Sequence, residues 1–195
     1  MINSGCWPKL TKFKAGLLPA DNITLYLDLD ILILGSLDPL IEAVARTKGL
    51  HIIREWSPFL IEKLLPVKYR RNRWGNSSVV GFIPSEQHHI YNAYLALKEK
   101  SYNFANNDQV FTSKFAHNYT YWQDNWIKSF RRHCVYPKPF GYFMNPKQPL
   151  ISCRILIFHG RPNPFEISCN NVGVWGSRSR VGKGPVKWVQ DYCKI

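Results

Sequence analysis

The sequence predicts an α/β domain, and three observations predict it. Strand-like and helix-like stretches alternate along the chain instead of segregating into separate blocks. The run Leu25-Tyr-Leu-Asp-Leu-Asp-Ile-Leu-Ile-Leu34 is apolar on both faces apart from its two acids, as suits a central parallel strand covered by helices. A hydrophobic fraction of 45% and an aromatic fraction of 14% in 195 residues supply enough apolar surface for one continuous core. They also exclude a disordered chain.

Residues 23–34 read as the first strand, with a break near Asp30 left open, and Gly35 and Pro39 mark the turn after it. Residues 40–46 read as a short helix with Pro39 at a tolerated early position. Residues 50–54 form a short strand, and Lys68, Arg70, Arg71 and Arg73 mark a basic loop. Residues 77–83 are β-like and stop at Pro84. Ser85 is then a fitting cap for a helix over 86–100, whose apolar face holds Ile90, Tyr94 and Leu97. A helix is expected over 107–115, strands over 129–136 and 154–158, and a helical tail around 188–192. After residue 165 the chain turns Gly- and Ser-rich and basic. The expected organisation is one domain over 1–170 with a tail over 171–195. No internal repeat or low-complexity segment interrupts it.

A net charge of +13 and an isoelectric point near 9.7 predict attraction to an anion: nucleic acid, a phosphorylated ligand or an anionic membrane surface. The five cysteines (Cys6, Cys134, Cys153, Cys169, Cys193) include no C-x-x-C pair, which argues against a zinc site and against a disulfide framework. Reduced thiols and a cytoplasmic location are the expectation. No signal peptide is visible and no apolar stretch reaches the ~20 residues of a membrane span. Peripheral association with an anionic membrane stays open.

With only 13 acids in the chain, Asp28 and Asp30 inside an apolar run stand out. On a strand, side chains two apart share a face roughly 7 Å apart. Two unpaired carboxylates there would be costly unless a divalent cation joins them, and hard oxygen ligands suit such an ion. The alternative is that the strand ends near Asp28 and both acids are solvated in a turn. His159 leaves an apolar strand into His-Gly-Arg-Pro-Asn-Pro-Phe165, with Arg161 two residues on. Two carboxylates and an imidazole suit Mn²⁺ or a similar ion, and Arg161 could hold a phosphate. Alternatively His159 only caps a strand. Asp108-Gln109 opens an apolar stretch, and helix capping by Asn107 or Asp108 would account for it. Asn76-Ser-Ser-Val79 is compatible with a turn before a strand.

In order, these pieces resemble the GT-A fold glycosyltransferases, most closely family 8-like bacterial and viral sugar transferases. The residues that carry the resemblance are Trp7-Pro-Lys-Leu10, Leu25-Tyr-Leu-Asp-Leu-Asp30 with Gly35-Ser-Leu-Asp38, Asn76-Ser-Ser-Val79, Asn107-Asp-Gln109, and Phe158-His-Gly160 with Pro162 and Pro164. The match runs from about residue 7 to 166. It implies a Rossmann-like mixed sheet flanked by helices, with Asp28 and Asp30 as the D-x-D that binds Mn²⁺ (or Mg²⁺) and the sugar nucleotide, and His159 as third metal ligand. It further implies Asp108 and Gln109 near the donor sugar and acceptor, and Lys9, Asn76, Gly160 and Arg161 on the donor. Family members begin with a strand–helix segment before the point where this chain starts, so part of the nucleotide-binding segment is expected to be missing. An open sheet edge, covered by a partner chain, would follow. The family's closing Lys and Trp are replaced by Asn163 and Phe165, which leaves phosphate binding to Arg161.

The function implied is metal-dependent transfer of a sugar from a nucleoside-diphosphate sugar to a glycan, lipid or protein acceptor. An inactive glycosyltransferase-like remnant is the first alternative, motivated by the short front end. A basic nucleic-acid-binding module is the second; it gives Asp28 and Asp30 no role, and no nucleic-acid motif accompanies the charge.

Overall fold

The computed structural model describes residues 7–56, 75–97, 100–169, 173–177 and 180–193. Cys6 and the basic loop with Lys68, Arg70, Arg71 and Arg73 lie outside them. A 3₁₀ turn, Trp7–Phe13, is followed by β1 (Thr24–Leu27), β2 (Ile31–Ile33), α1 (Asp38–Thr47), β3 (Leu50–Ile53), β4 (Asn76–Phe82) and α2 (Pro84–Leu97). Next come α3 (Ser101–Phe104), α4 (Asp108–Phe115), β5 (Tyr119–Tyr121), β6 (Ile127–Ser129) and a π-helical turn, Phe130–Cys134. The chain continues through β7 (Ile155–Ile157), α5 (Pro164–Ser168), β8 (Val174–Ser177), β9 (Arg180–Lys183) and α6 (Lys187–Tyr192). Among the described residues no helix is long and apolar enough to cross a membrane.

The chain divides into two compact units, one comprising Met1–Leu27 and Asp38–Trp122, the other Asp28–Leu37 and Gln123–Ile195. Each has its own sheet and its own core. In the first unit the strand order is β1-β4-β3-β5, antiparallel except for the β3–β5 pair. All seven residues of β4 are buried, so this strand forms the sheet's interior. Leu10, Phe13, Leu50, Ile52, Val80, Phe82, Ile90 and Phe111 form the apolar core against it. Gly81 is required by close packing, since a Cβ there would lie 2.6 Å from the Trp122 ring and 2.7 Å from Val44.

The second unit holds a three-stranded sheet ordered β2-β7-β6 and a β8–β9 hairpin. Strand β7 is central: β2 runs antiparallel to it, with Ile31 opposite Ile157, and β6 runs parallel, with Ser129 opposite Ile157. Phe130, Leu156, Phe158, Ile167, Trp175, Val186 and Val189 build its core, so residues beyond 171 contribute buried side chains to this unit.

Four sequence expectations are corrected. The run 23–34 is not one strand: β1 and β2 belong to different sheets, and Asp28, Leu29 and Asp30 form the bend between them. Leu29, in the middle of the bend, is fully exposed, whereas Asp28 and Asp30 on either side of it are half-buried. β1 is also not a central parallel strand. It pairs antiparallel with β4, is the outer strand of the described sheet, and is half-buried throughout. The strand expected over 129–136 stops at Ser129. The His133 Nδ1 atom accepts from the Ser129 amide at 2.9 Å, and the Val135 amide closes onto the Phe130 carbonyl at 3.2 Å, so the chain coils instead of extending. Ser85 does not cap α2, which already begins at Pro84; its hydroxyl instead donates to Asp21 at 3.2 Å.

Candidate functional site

In the second unit the register of the three-stranded sheet gathers distant residues. The carboxyl ends of the parallel strands β6 and β7 coincide, and the antiparallel β2 begins at the same end. Three segments therefore meet there: the Asp28–Asp30 bend before β2, the Phe130–Cys134 turn after β6, and Phe158-His159-Gly160 after β7. The carboxyl ends of parallel strands are where α/β sheets build their sites.

Backbone bonds tie the bend to the strand exit. The Phe158 amide donates to the Asp30 carbonyl at 2.8 Å, and the Gly160 amide approaches the Asp30 carboxylate at 3.5 Å across 130 positions of sequence. Gly160 has φ +73°, a left-handed conformation that glycine adopts without cost. Asp28 and Asp30 are half-buried, as is His159. Burial chiefly lowers the His159 pKa, and Arg132 lowers it further, while Asp30 and Asp28 act in the opposite direction. The imidazole is thus held toward its neutral form, the form that binds metals.

Two carboxylates and a neutral imidazole are the donor chemistry of a Mn²⁺ or Mg²⁺ site, and all three residues sit at one sheet end. They do not form a ready cage: among the described residues no three His, Cys, Asp or Glu side chains are gathered closely enough to hold a metal ion. Arg161, the residue singled out for phosphate, extends into solvent with its side chain 88% exposed and pairs with Glu166 at 3.2 Å. That pair stands on a feature the sequence carried unread. Asn163 and Glu166 form a capping box, with the Glu166 amide donating to Asn163 at 2.8 Å and the Asn163 amide to Glu166 at 3.0 Å. Asn163-Pro-Phe-Glu166 is the local signal that announces it.

In the first unit the start of β4 meets the start of α4. Asn107 caps α4 by accepting from the Val110 amide at 2.8 Å. Asp108 is 5% exposed and accepts a hydrogen bond from the Ser77 hydroxyl at 3.0 Å. Asn76 is also buried, and its side-chain oxygen accepts from the Ser78 amide at 2.9 Å. Gln109 follows on the same helical turn, and its carbonyl accepts from Ser113, whose hydroxyl oxygen accepts from the Gly75 amide. Asn76 and Asp108 are both buried and each is satisfied by a neighbouring serine of β4, Asn76 by the Ser78 amide and Asp108 by the Ser77 hydroxyl, while Gln109 is half-buried. Ser77 is the residue the sequence reading passed over. Its signal was three consecutive polar residues opening a buried strand, each of which needs a partner. Lys9 belongs to the 3₁₀ turn Trp7–Phe13, which packs against α4. It is half-buried on the 3₁₀ turn and lines an open groove of about 510 Å³ with Lys12, Leu17, Thr24 and Tyr26 beside the outer strand β1.

The mixed α/β architecture, with sheets flanked by helices, is that of a GT-A-type fold. Solved structures bear this out. The chain is similar to an active-site variant of LgtC in which glutamate replaces glutamine, with a TM-score of 0.55 and 13% identity over 96% of this chain and 65% of that one. It is also similar to the galactosyltransferase LgtC in complex with donor and acceptor sugar analogues, with a TM-score of 0.51 and 15% identity over 81% of this chain and 59% of that one. The chain thus spans less than two-thirds of the length of these proteins. No protein-family model matches the sequence, and comparison with curated proteins finds no match.

Proposed function

We propose that the chain is a metal-dependent glycosyltransferase, moving a sugar from a nucleoside-diphosphate sugar to an acceptor. The observation that supports this reading is the convergence of Asp30, His159 and Gly160 at one end of the second unit's sheet, in a chain whose fold resembles LgtC. Asp28, Asp30 and His159 are the residues that would hold Mn²⁺ or Mg²⁺. A divalent cation bound there supplies neutralisation of the charge that develops on the diphosphate leaving group.

The rest falls to the chain's own groups. The Gly160 amide orients the Asp30 carboxylate, and Ser77 fixes the rotamer of Asp108. Asp108 and Gln109 are assigned to the donor sugar and acceptor, and Lys9, Asn76 and Arg161 to the donor. A sugar acceptor is favoured among glycan, lipid and protein, because the similar LgtC was solved with a sugar analogue in that role.

The test is a thermal melt against a panel of UDP- and GDP-sugars with and without Mn²⁺, paired with an assay of released nucleoside diphosphate. The expected result is a melting temperature raised by one donor only when Mn²⁺ is present, by linkage. Asp30→Asn should abolish that shift and leave the ligand-free fold intact. No shift with any nucleotide sugar at millimolar concentration, or a shift unchanged in Asp30→Asn, overturns the reading.

A further inference from the structure

The turn Phe130–Cys134 leaves the second unit's sheet at the same end as His159, and it carries Arg131 and Arg132. Packing fixes the turn there. Phe130 is fully buried and stacks on Phe158, the residue before His159, with ring centroids 4.6 Å apart and planes 17° from parallel. The base of the turn is stapled by Ser129, whose amide donates to His133 and whose hydroxyl accepts from the Arg132 amide at 3.4 Å. A third guanidinium belongs here. Arg180 on β9 donates to the carbonyl of Val135, just past the turn, and Arg131 and Arg132 both act electrostatically on it. Arg131, Arg132 and Arg180 are all half-buried.

Guanidinium groups that act on one another in a partly desolvated place repel, and that repulsion is relieved by an anion. Asp28 and Asp30 lie at this end of the sheet and act on His159. Their two charges leave an excess of positive charge even when both face the arginines, and a larger one when they serve a cation. Residues 125–165, which include the turn, contain no acid. Planar guanidinium forks match phosphoryl oxygens in geometry as well as in charge.

We propose that Arg131, Arg132 and Arg180 form a phosphate-binding site at the His159 end of the three-stranded sheet. The phosphoryl group comes either from the diphosphate of a nucleotide donor or from a phosphorylated acceptor, a choice of sources that rests on the transferase reading. The site itself does not rest on it. Arg131 and Arg132 supply the binding forks, and Arg180, anchored on the Val135 carbonyl, adds charge behind them.

The experiment is calorimetric titration of the full chain with inorganic pyrophosphate in EDTA, so that no metal takes part. Wild-type protein should bind, with affinity falling as salt rises. Arg131→Gln/Arg132→Gln should bind at least ~10-fold more weakly, the scale of losing charge-assisted hydrogen bonds. Arg132→Lys should retain more affinity than Arg132→Gln, and Arg46→Gln, an exposed arginine on α1, should bind as wild type. Displacement of pyrophosphate by UDP at lower concentration than by a hexose phosphate assigns the donor; the reverse order assigns the acceptor. No pyrophosphate binding by wild type, or equal binding by the double variant, overturns the site. A silent transferase assay together with arginine-dependent pyrophosphate binding would remove the transferase reading alone.

Discussion

His51 shows how a single buried group sets a pH response. Its ring packs on Trp122 with centroids 4.6 Å apart, and its Nε2 lies 2.6 Å from the Thr47 hydroxyl. Burial lowers its pKa below the ordinary 6.5, so the folded protein keeps it neutral while the unfolded chain takes up a proton as the pH falls. His51 therefore contributes stability that is present above pH 6.5 and is lost as the pH falls toward its folded value. Urea midpoints measured from pH 7.5 down to 5 should fall, and His51→Gln should flatten part of that slope; an equal slope in the variant would refute the assignment. The thiols divide in the same way. Burial pushes Cys134 up to about 12 and raises Cys153, whereas Cys169 is exposed. Brief alkylation of native protein followed by peptide mapping should label Cys169 well before Cys134 and Cys153, because only a thiolate reacts and only an accessible one is reached.

At the level of elements, the short helix α4 illustrates how local chemistry positions a site. Eight residues are too few for a helix to persist alone, and it relies on its cap and on the burial of Phe111. Asn107→Ala removes the acceptor for the Val110 amide and should cost about 1 kcal/mol in chemical denaturation. Because the cap also sets the first turn, the Ser77–Asp108 hydrogen bond should loosen with it. On the proposed transferase reading, nucleotide-sugar binding should weaken beyond what the stability change explains, and an unchanged affinity would show that the two are uncoupled. Strand β7 plays the corresponding part in the second unit: Ile155, Leu156 and Ile157 are buried, and its two neighbours deliver Asp30 and the arginine turn to its carboxyl end.

For the whole molecule, the charge of +13 governs behaviour in solution. Like charges destabilise a compact chain, and salt shortens their reach from about 30 Å at 0.01 M to about 8 Å at 0.15 M. The melting temperature should therefore rise between those salt concentrations without any specific ligand. An unchanged or lower value would show that the basic residues are already offset by pairing.

The α/β class, the strands near 50–54, 77–83 and 154–158 and the helix over 107–115 are legible in the amino-acid sequence alone. Those features are written locally: a buried strand must be apolar, and a capped helix start needs Asn or Asp followed by an apolar period. That the run 23–34 breaks at Asp28 and feeds two different sheets, and that the chain coils after Ser129, emerges only from long-range pairing. Alternation of side chains tells which residues are buried but not which strand lies beside them. Pairing with β4 or with β7 is chosen by contacts more than fifty positions away. The same limit hid the arginine turn. Nothing near Arg131 and Arg132 announces His159 or Arg180, and the three segments meet because Phe130 stacks on Phe158 and β6 pairs with β7.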